Sequence, residues 1–432
     1  MPFFFLLALI FYTSAKKALN QKDKYILFTL CVASLLAGLL VKLSFVIAVG
    51  VFLFNFLWES RAYLKKNFLP QVGIIAGSIG ATIIIIILGS ETLFPFFNVA
   101  HVVEYASRFF HLDRNWFQTL IQVVKVVFFL SPLLVLAPFF IRRQDVALLR
   151  PLFLYIFLGL FFYLILFDFS IGALDRYLQF LLVPLTLITA VAVNTAWDVF
   201  KKQNVRTLLV FMGVFSVALA CVQFIPHFVP ALHPKSEWIG RVLSFQWNFL
   251  YPFSGGSGPL TFYVSFLFLG VSWILSGLLF VSALFKKHLR SILLVAFLLP
   301  ISTVYNLVFI EEYLFGEING SAAVLVERAA VYIQHEDEIE RVVVYNDNGG
   351  AEIIATGKYE KRLYTSPQFD VEEKIRTINA FSGHYLVINA PPIDPQSVFA
   401  AYFETCSVVY HDQSRRISAI IYDCRTAPEI KQ

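Results

Sequence analysis

Apolar residues along this chain collect into long, nearly unbroken runs separated by short polar stretches. A helix needs about 20 such residues to cross a bilayer, fewer where flanking side chains snorkel. Runs that meet or approach this length cover 25–41, 43–57, 70–89, 119–140, 151–167, 177–198, 207–225, 260–285 and 291–310. A shorter run, 2–15, is followed at once by Lys16, Lys17, Lys22 and Lys24. The pattern predicts a polytopic α-helical membrane protein with about ten transmembrane helices.

Basic residues orient those helices, because loops rich in Lys and Arg stay in the cytoplasm. Arg61, Lys65 and Lys66 mark one such loop; Arg142, Arg143 and Arg150 mark another. Lys201, Lys202 and Arg206 mark a third, and Lys286, Lys287 and Arg290 a fourth. Loops 90–118, 168–176 and 226–259 carry fewer and more mixed charges. Strict alternation requires 25–57 to be a hairpin of two short helices turning at 42–44. Residue 1 and everything after 310 then lie outside the cytoplasm. An outer N-terminus behind so short a first helix further predicts that the natural chain extends upstream of Met1.

After Ile310 the pattern becomes that of a soluble α/β domain, so 1–310 is read as transmembrane and 311–432 as extracytoplasmic. Residues 341–345 and 385–389 read as strands and 395–404 as a helix. Residues 407–411 and 417–422 read as a hairpin around 412–416. Strands alternating with helices suggest a small two- or three-layer α/β fold. Cys406 and Cys424 flank that hairpin almost symmetrically and would face each other on adjacent strands. In an oxidising compartment a disulfide is expected, the alternative being two unpaired thiols. Cys31 and Cys221 lie inside apolar runs and read as small buried residues.

Composition narrows the class. Of 432 residues 58% are hydrophobic and 15% charged, with a mean hydropathy of +0.72; soluble domains are nearer ~45–50% apolar and ~25% charged. The net charge of +5 sits in short loops between apolar runs and reports topology, not nucleic-acid binding. No metal spacing such as Cys-x-x-Cys or His-Glu-x-x-His occurs in the sequence; no cofactor is assigned, and a divalent metal stays open without residues to support it.

Five outer features bear on the candidate chemistry. Lys42 interrupts an apolar stretch at the tip of the proposed hairpin, where it either snorkels to the interface or meets an anionic ligand. Asp175, Arg176 and Tyr177 open the 177–198 helix. Arg176 could grip a phosphate bidentately with Tyr177 at headgroup level, or the group could simply form an aromatic-belt boundary with an exposed ion pair. In 94–112, His101, Glu104, Arg108 and His111 share one helix face, opposite Val99, Val102, Val103, Ala106, Phe109 and Phe110. That is an amphipathic interfacial helix whose polar face is either solvated or acid–base and sugar-binding machinery. The 226–259 loop, with Pro226, Pro230, Pro234, Trp238 and Trp247, reads as a second interfacial segment ending in a flexible connection, Ser254-Gly-Gly-Ser-Gly-Pro259. The turn residues Asn346-Asp-Asn-Gly-Gly350 resemble a ligand-cradling loop, but the same types make ordinary turns.

Three segments together resemble the GT-C glycosyltransferases that use lipid-linked sugars, in particular the protein O-mannosyltransferase and aminoarabinose-transferase-like branch. Met1-Pro2-Phe3-Phe4-Phe5-Leu6-Leu7-Ala8-Leu9 looks like the helix after the family's Arg-x-x-x-x-Pro stretch. Ala33-Ser-Leu-Leu-Ala-Gly-Leu-Leu-Val-Lys42-Leu-Ser44 is similar to the family's Gly-Leu-Ala-x-Leu-x-Lys hairpin. Asp175-Arg-Tyr-Leu-Gln-Phe-Leu-Leu-Val-Pro184 resembles its late Arg-Tyr-Leu-x-x-x-x-Pro helix. The likeness covers residues 1–200 and continues over 200–310 only as topology. It implies sugar transfer from a polyprenyl-phosphate donor to a glycan, lipid or protein acceptor on the outer face. Lys42, Arg176 and Tyr177 become candidates for the donor phosphate, and the outer amphipathic helix would roof the site. The family's catalytic acidic residue sits in a first outer loop that would precede Met1, and no acidic residue here matches it. No catalytic base is therefore assigned. Two other functions fit a multi-pass chain: a transporter or flippase for lipid-linked sugars, and a membrane-anchored sensor or scaffold with an outer ligand-binding domain.

Overall fold

The structure, a computed structural model, describes residues 2–41, 45–59, 116–166, 178–201, 205–226, 228–229, 235–254, 261–286, 289–344, 350–362, 385–389 and 398–427. The chain forms two compact units. The first comprises 1–130 with 134–194, and the second 131–133 with 195–432. Among the described residues, four helical stretches are long and apolar enough to cross a membrane, Arg143–Ile165, Gln179–Phe200, Phe266–Phe285 and Arg290–Leu314. Val46–Glu59 and Leu208–Phe224 are apolar but shorter. This architecture is compatible with a helical membrane protein, and its large exposed apolar side chains, among them Phe54, Phe157, Val214 and Leu278, are what a lipid-facing surface requires.

In the first unit, helices α1 (Pro2–Lys17), α2 (Gln21–Val41) and α3 (Val46–Glu59) precede α4 (Trp116–Phe129) and a short α5 (Pro132–Leu136). Then come α6 (Arg143–Phe161) and α7 (Leu182–Phe200), the latter led by a 3-10 turn over Gln179–Leu181. The expected span 119–140 is thus interrupted. Pro132 and Pro138 each lack the amide N–H that a continuous helix would donate, and the chain breaks into α4, α5 and a 3-10 turn over Ala137–Phe140.

Contacts fix how the helices of this unit run. Phe5 meets Phe52 at 6.0 Å, the Tyr12 hydroxyl accepts from Asn55 at 2.8 Å, and Lys16 pairs with Glu59. Residue numbers rise together in these pairs, so α1 and α3 are parallel. Tyr12 of α1 also meets Phe28 of α2 at 6.0 Å, so α2 runs antiparallel to both, the directions that the alternation of charged loops requires. Trp58 lies under Arg150 at 5.6 Å, whereas Phe5 stacks on Tyr155 at 4.1 Å, so α6 is antiparallel to α3. Two glycines allow close helix contacts. A Cβ on Gly38 would collide with the Phe45 ring, and one on Gly159 with the Phe180 ring.

In the second unit, α8 (Val205–Cys221), α9 (Lys235–Leu243), α10 (Phe266–Phe285), α11 (Arg290–Leu293) and α12 (Leu299–Leu314) lead into the mixed domain. A π-turn over Leu294–Leu298 joins α11 to α12. Strands β1 (Leu250–Ser254) and β2 (Thr261–Ser265) form an antiparallel hairpin, Leu250 opposite Ser265. The run read from sequence as a helix over 260–285 thus begins as strand, and the helix starts at Phe266. Ser265 ends the strand and caps the helix, its Oγ accepting from the Phe268 N–H at 3.0 Å.

The C-terminal domain contains α13 (Ala322–His335), β3 (Val342–Val344), α14 (Gly350–Ala355), β4 (Tyr359–Arg362), β5 (Tyr385–Asn389), α15 (Val398–Phe403), β6 (Ser407–Ser414) and β7 (Ile417–Asp423). The strand order is β4-β3-β5-β7-β6, parallel across the first three and antiparallel across the last three. Buried Ala329 and Ile333 of α13 pack on Val342, Val344 and Ile421, so the helix covers the sheet in an α/β arrangement.

Candidate functional site

Among the described residues, the helices of each unit gather basic side chains at one end. In the first unit the basic end holds Lys16 and Lys17 at the close of α1, Lys22 and Lys24 at the start of α2, and Arg142, Arg143 and Arg150 around the start of α6. A polar cluster sits there. Buried Asn55 donates to the Tyr12 hydroxyl and to Glu59 Oε1, and Tyr12 donates to Glu59 Oε2 at 2.8 Å. At the opposite end α2 finishes at Val41, α3 begins after Phe45, and the π-turn extending α6 stops at Leu166. The next described residue is Leu178, and Phe180 packs on Tyr155 and Tyr163 at 5.5 Å each. The flanks of the Lys42 turn and of the Arg176 segment, Phe45 and Leu178 with Phe180, are buried in one hydrophobic core.

Lys42, Arg176 and Tyr177 themselves lie outside the described residues, as do His101, Glu104, Arg108 and His111 of the outer loop. The turn over 346–349 does too.

The second unit repeats the polarity. Arg206 near the start of α8, Lys286 after α10 and Arg290 at the start of α11 mark its basic end. At the other end the termini of α8, α10 and α12 converge on a buried polar chain that the hydropathy reading did not anticipate. Glu312 is only 2% exposed, and its Oε1 accepts from Gln223 Nε2 and from Asn319 Nδ2, each at 2.7 Å. Gln223 Oε1 accepts the Ser265 N–H at 3.0 Å, tying the chain to the cap of α10. Asn319 also donates to the Tyr263 carbonyl at 3.3 Å.

This chain of hydrogen bonds is where the mixed domain is fastened. The two-residue turn between β6 and β7, Arg415 and Arg416, reaches back to the end of α12. Arg416 donates from its backbone to the Asn319 carbonyl at 3.1 Å, from Nη1 to Asn319 Oδ1 at 3.2 Å, and from Nη2 to the Phe224 carbonyl at 2.9 Å. Gly320 permits the approach. Its φ of +123° lies in the region glycine alone adopts freely, and a Cβ there would meet the Ser414 carbonyl oxygen. Sequence reading missed the fastening because its members, Gln223, Ser265, Glu312, Asn319 and Arg416, are scattered over almost 200 positions. The one available signal was a Glu at the end of an apolar run, and Glu311 beside it offers the same signal.

Cys406 and Cys424 form a disulfide with Cα atoms 4.7 Å apart. They extend the β6–β7 ladder just beyond its Ser407–Asp423 pair, where the expected hairpin placed them. Crosslinking residues 18 apart removes chain entropy from the unfolded state equivalent to about 3 kcal/mol. Replacing both by serine is therefore expected to destabilise the domain by about that amount. Thermal denaturation of the two-serine variant in detergent would show an unchanged midpoint if the bond contributed nothing.

Asp423, next to the disulfide, takes two hydrogen bonds from the Arg425 guanidinium, at 3.0 and 2.9 Å, and this holds its carboxyl below the usual range, against partial desolvation. A lowered folded-state value means the contribution is full above the unfolded carboxyl value of about 3.9 and fades as pH falls through the folded value. Because Arg425 is well exposed, solvent screening keeps the effect below about 1 kcal/mol. Wild type should be slightly more stable than Asp423→Asn at pH 7, with the difference closing below about pH 4. A difference independent of pH from 3 to 7 would assign the loss to something other than the charge.

No protein-family model, no curated protein and no solved structure matches this chain.

Proposed function

We propose that the chain is a membrane glycosyltransferase that moves a sugar from a polyprenyl-phosphate donor to an acceptor on the extracytoplasmic face. The observation that supports the reading is the direction of the helices: Val41 and Phe45, which flank Lys42 in sequence, and Leu166 and Leu178, which flank the segment bearing Arg176, lie at the end of the first unit opposite its basic cluster. Both cations then share one side of the bilayer, which a site for a lipid phosphate requires.

The proposal takes the chain as ten crossings, with the basic ends of both units in the cytoplasm. The mixed domain, fastened to the ends of α8, α10 and α12 opposite those basic residues, is then extracytoplasmic, where the Cys406–Cys424 disulfide would persist. Chemically, the acceptor nucleophile attacks the anomeric carbon of the donor sugar. The bond from that carbon to the phosphate oxygen breaks, the acceptor loses its proton to a base, and polyprenyl phosphate leaves. Lys42 and Arg176 would offset the charge that grows on the departing phosphate, with Tyr177 beside them. His101, Glu104, Arg108 and His111 would face the site from the outer loop. No residue is assigned as the base.

Release of polyprenyl phosphate tests this without knowing the sugar. The protein is incubated with a lipid extract containing polyprenyl-phosphate sugars and extracted acceptors, and the lipids are followed by mass spectrometry. Transfer converts the sugar-bearing lipid to free polyprenyl phosphate. A flippase or a sensor would leave the lipid's mass unchanged.

A further inference from the structure

Helix α9 is oriented the wrong way for a water-soluble surface. Ile239 and Leu243, one turn apart on the same face, are 48% and 73% exposed, whereas Arg241 between them is partly covered, its guanidinium carbon 3.6 Å from the centre of the Phe228 ring. Phe245 follows with a φ of +58° and is 80% exposed. A bulky residue held in that backbone region is strained, and here the strain directs an aromatic ring outward beside two other apolar side chains. The segment is also attached to a helix of membrane-crossing length. Trp247 packs against Phe266 at 5.9 Å and so closely over Gly270 that a Cβ there would lie 2.9 Å from the indole. Its indole N–H donates to the Val242 carbonyl at 3.1 Å, locking the loop to α9. The apolar ridge of Ile239, Leu243 and Phe245 therefore belongs to the segment packed on the first turns of α10.

Beside the ridge runs an open groove of about 440 Å³ lined by Arg241, Phe245, Gln246, Trp247, Asn248 and Leu267. It combines a cation, two carboxamides and an indole at the end of a membrane-length helix, the depth at which lipid headgroups lie. We propose that the ridge is immersed in the lipid interface and that the groove receives the phosphate of an anionic phospholipid headgroup. Arg241 would supply charge and paired donors to the phosphate oxygens. Asn248 and Gln246 would bond to the glycerol end of the headgroup. The inference is independent of the transferase reading and requires only that α10 crosses a bilayer.

The test uses the whole protein in nanodiscs of phosphatidylcholine with and without phosphatidylglycerol. A spin label at Phe245→Cys, with Cys31 and Cys221 replaced by alanine, should be accessible to oxygen and shielded from a water-soluble nickel reagent. On release into the gas phase, wild type should retain phosphatidylglycerol over phosphatidylcholine. Arg241→Gln should lower that preference about fivefold, the effect of one basic residue at an anionic surface, and the exposed Asn248→Leu should lower it in the same direction without disturbing the fold. Lys201→Gln should leave it unchanged. Millimolar glycerol phosphate should not displace the lipid; displacement would make the groove a site for soluble anions and overturn the lipid assignment. A label in water, or a preference untouched by both groove variants, would overturn the proposal equally.

Discussion

Replacing Lys42 or Arg176 by alanine is expected to cut release of polyprenyl phosphate by about 100-fold or more while the protein still inserts and accumulates in membranes. The size follows from the chemistry. A preorganised cation or donor aimed at charge that grows in the transition state is worth roughly 10²–10³ in rate, because it is held in place before the charge forms. Arg176→Lys keeps the charge but loses the planar pair of donors, so it should recover only part of the activity. If either residue merely snorkels at the interface, alanine would leave transfer within about twofold and could only alter how the helix end sits. Unchanged transfer in both variants would remove the phosphate-binding role from the account.

The second large effect lies in the fastening of the mixed domain. Glu312→Leu keeps the side chain's approximate volume but strands the amide donors of Gln223 and Asn319, each of which now points 2.7 Å from a carboxylate oxygen in a buried site. Stranding a buried donor costs about 1–3 kcal/mol, so the variant should lose about 4 kcal/mol and, with Asn319 displaced, release Arg416 from its seat. Glu312→Gln retains an acceptor at the same place and should cost far less, under about 1 kcal/mol by the same comparison. Protease susceptibility of the β6–β7 turn in detergent separates the two. The leucine variant should be cut at Arg415 or Arg416 well below the wild-type midpoint, and the glutamine variant should not. Equal behaviour of the two variants would mean that Glu312 fills space without organising the junction.

What the sequence made legible is what has a period or a compositional edge. Apolar runs gave the four long helices, the grouping of Lys and Arg gave the two basic ends, and alternation of charged loops required α1 and α3 to run parallel, as the pairs Phe5–Phe52 and Lys16–Glu59 display. The β6–β7 hairpin and its disulfide were legible because Cys406 and Cys424 bracket two β-branched runs of nearly equal length. Three things were not. Residues 261–265 are as apolar as the helix they precede, and hydropathy has no means of distinguishing a strand that pairs with 250–254 from a first helical turn. Pro132 and Pro138 sit inside an unbroken apolar run, so counting apolar residues merged pieces that backbone chemistry separates. The Gln223–Glu312–Asn319–Arg416 chain depends on contacts between residues far apart in sequence. No local pattern announces it. The candidate phosphate site itself was read from short motifs, and Lys42, Arg176 and Tyr177 lie outside the described residues.

The most direct measurement of the central claim is the sidedness of the proposed site. Single cysteines at positions 42, 176 and 286, in a chain with Cys31 and Cys221 replaced by alanine, can be reacted in intact cells with a maleimide that does not cross membranes. The account predicts labelling at 42 and 176 from outside, and labelling at 286 only after the membrane is opened. Labelling of 42 and 176 from opposite sides would contradict it, because no single lipid phosphate could then meet both residues.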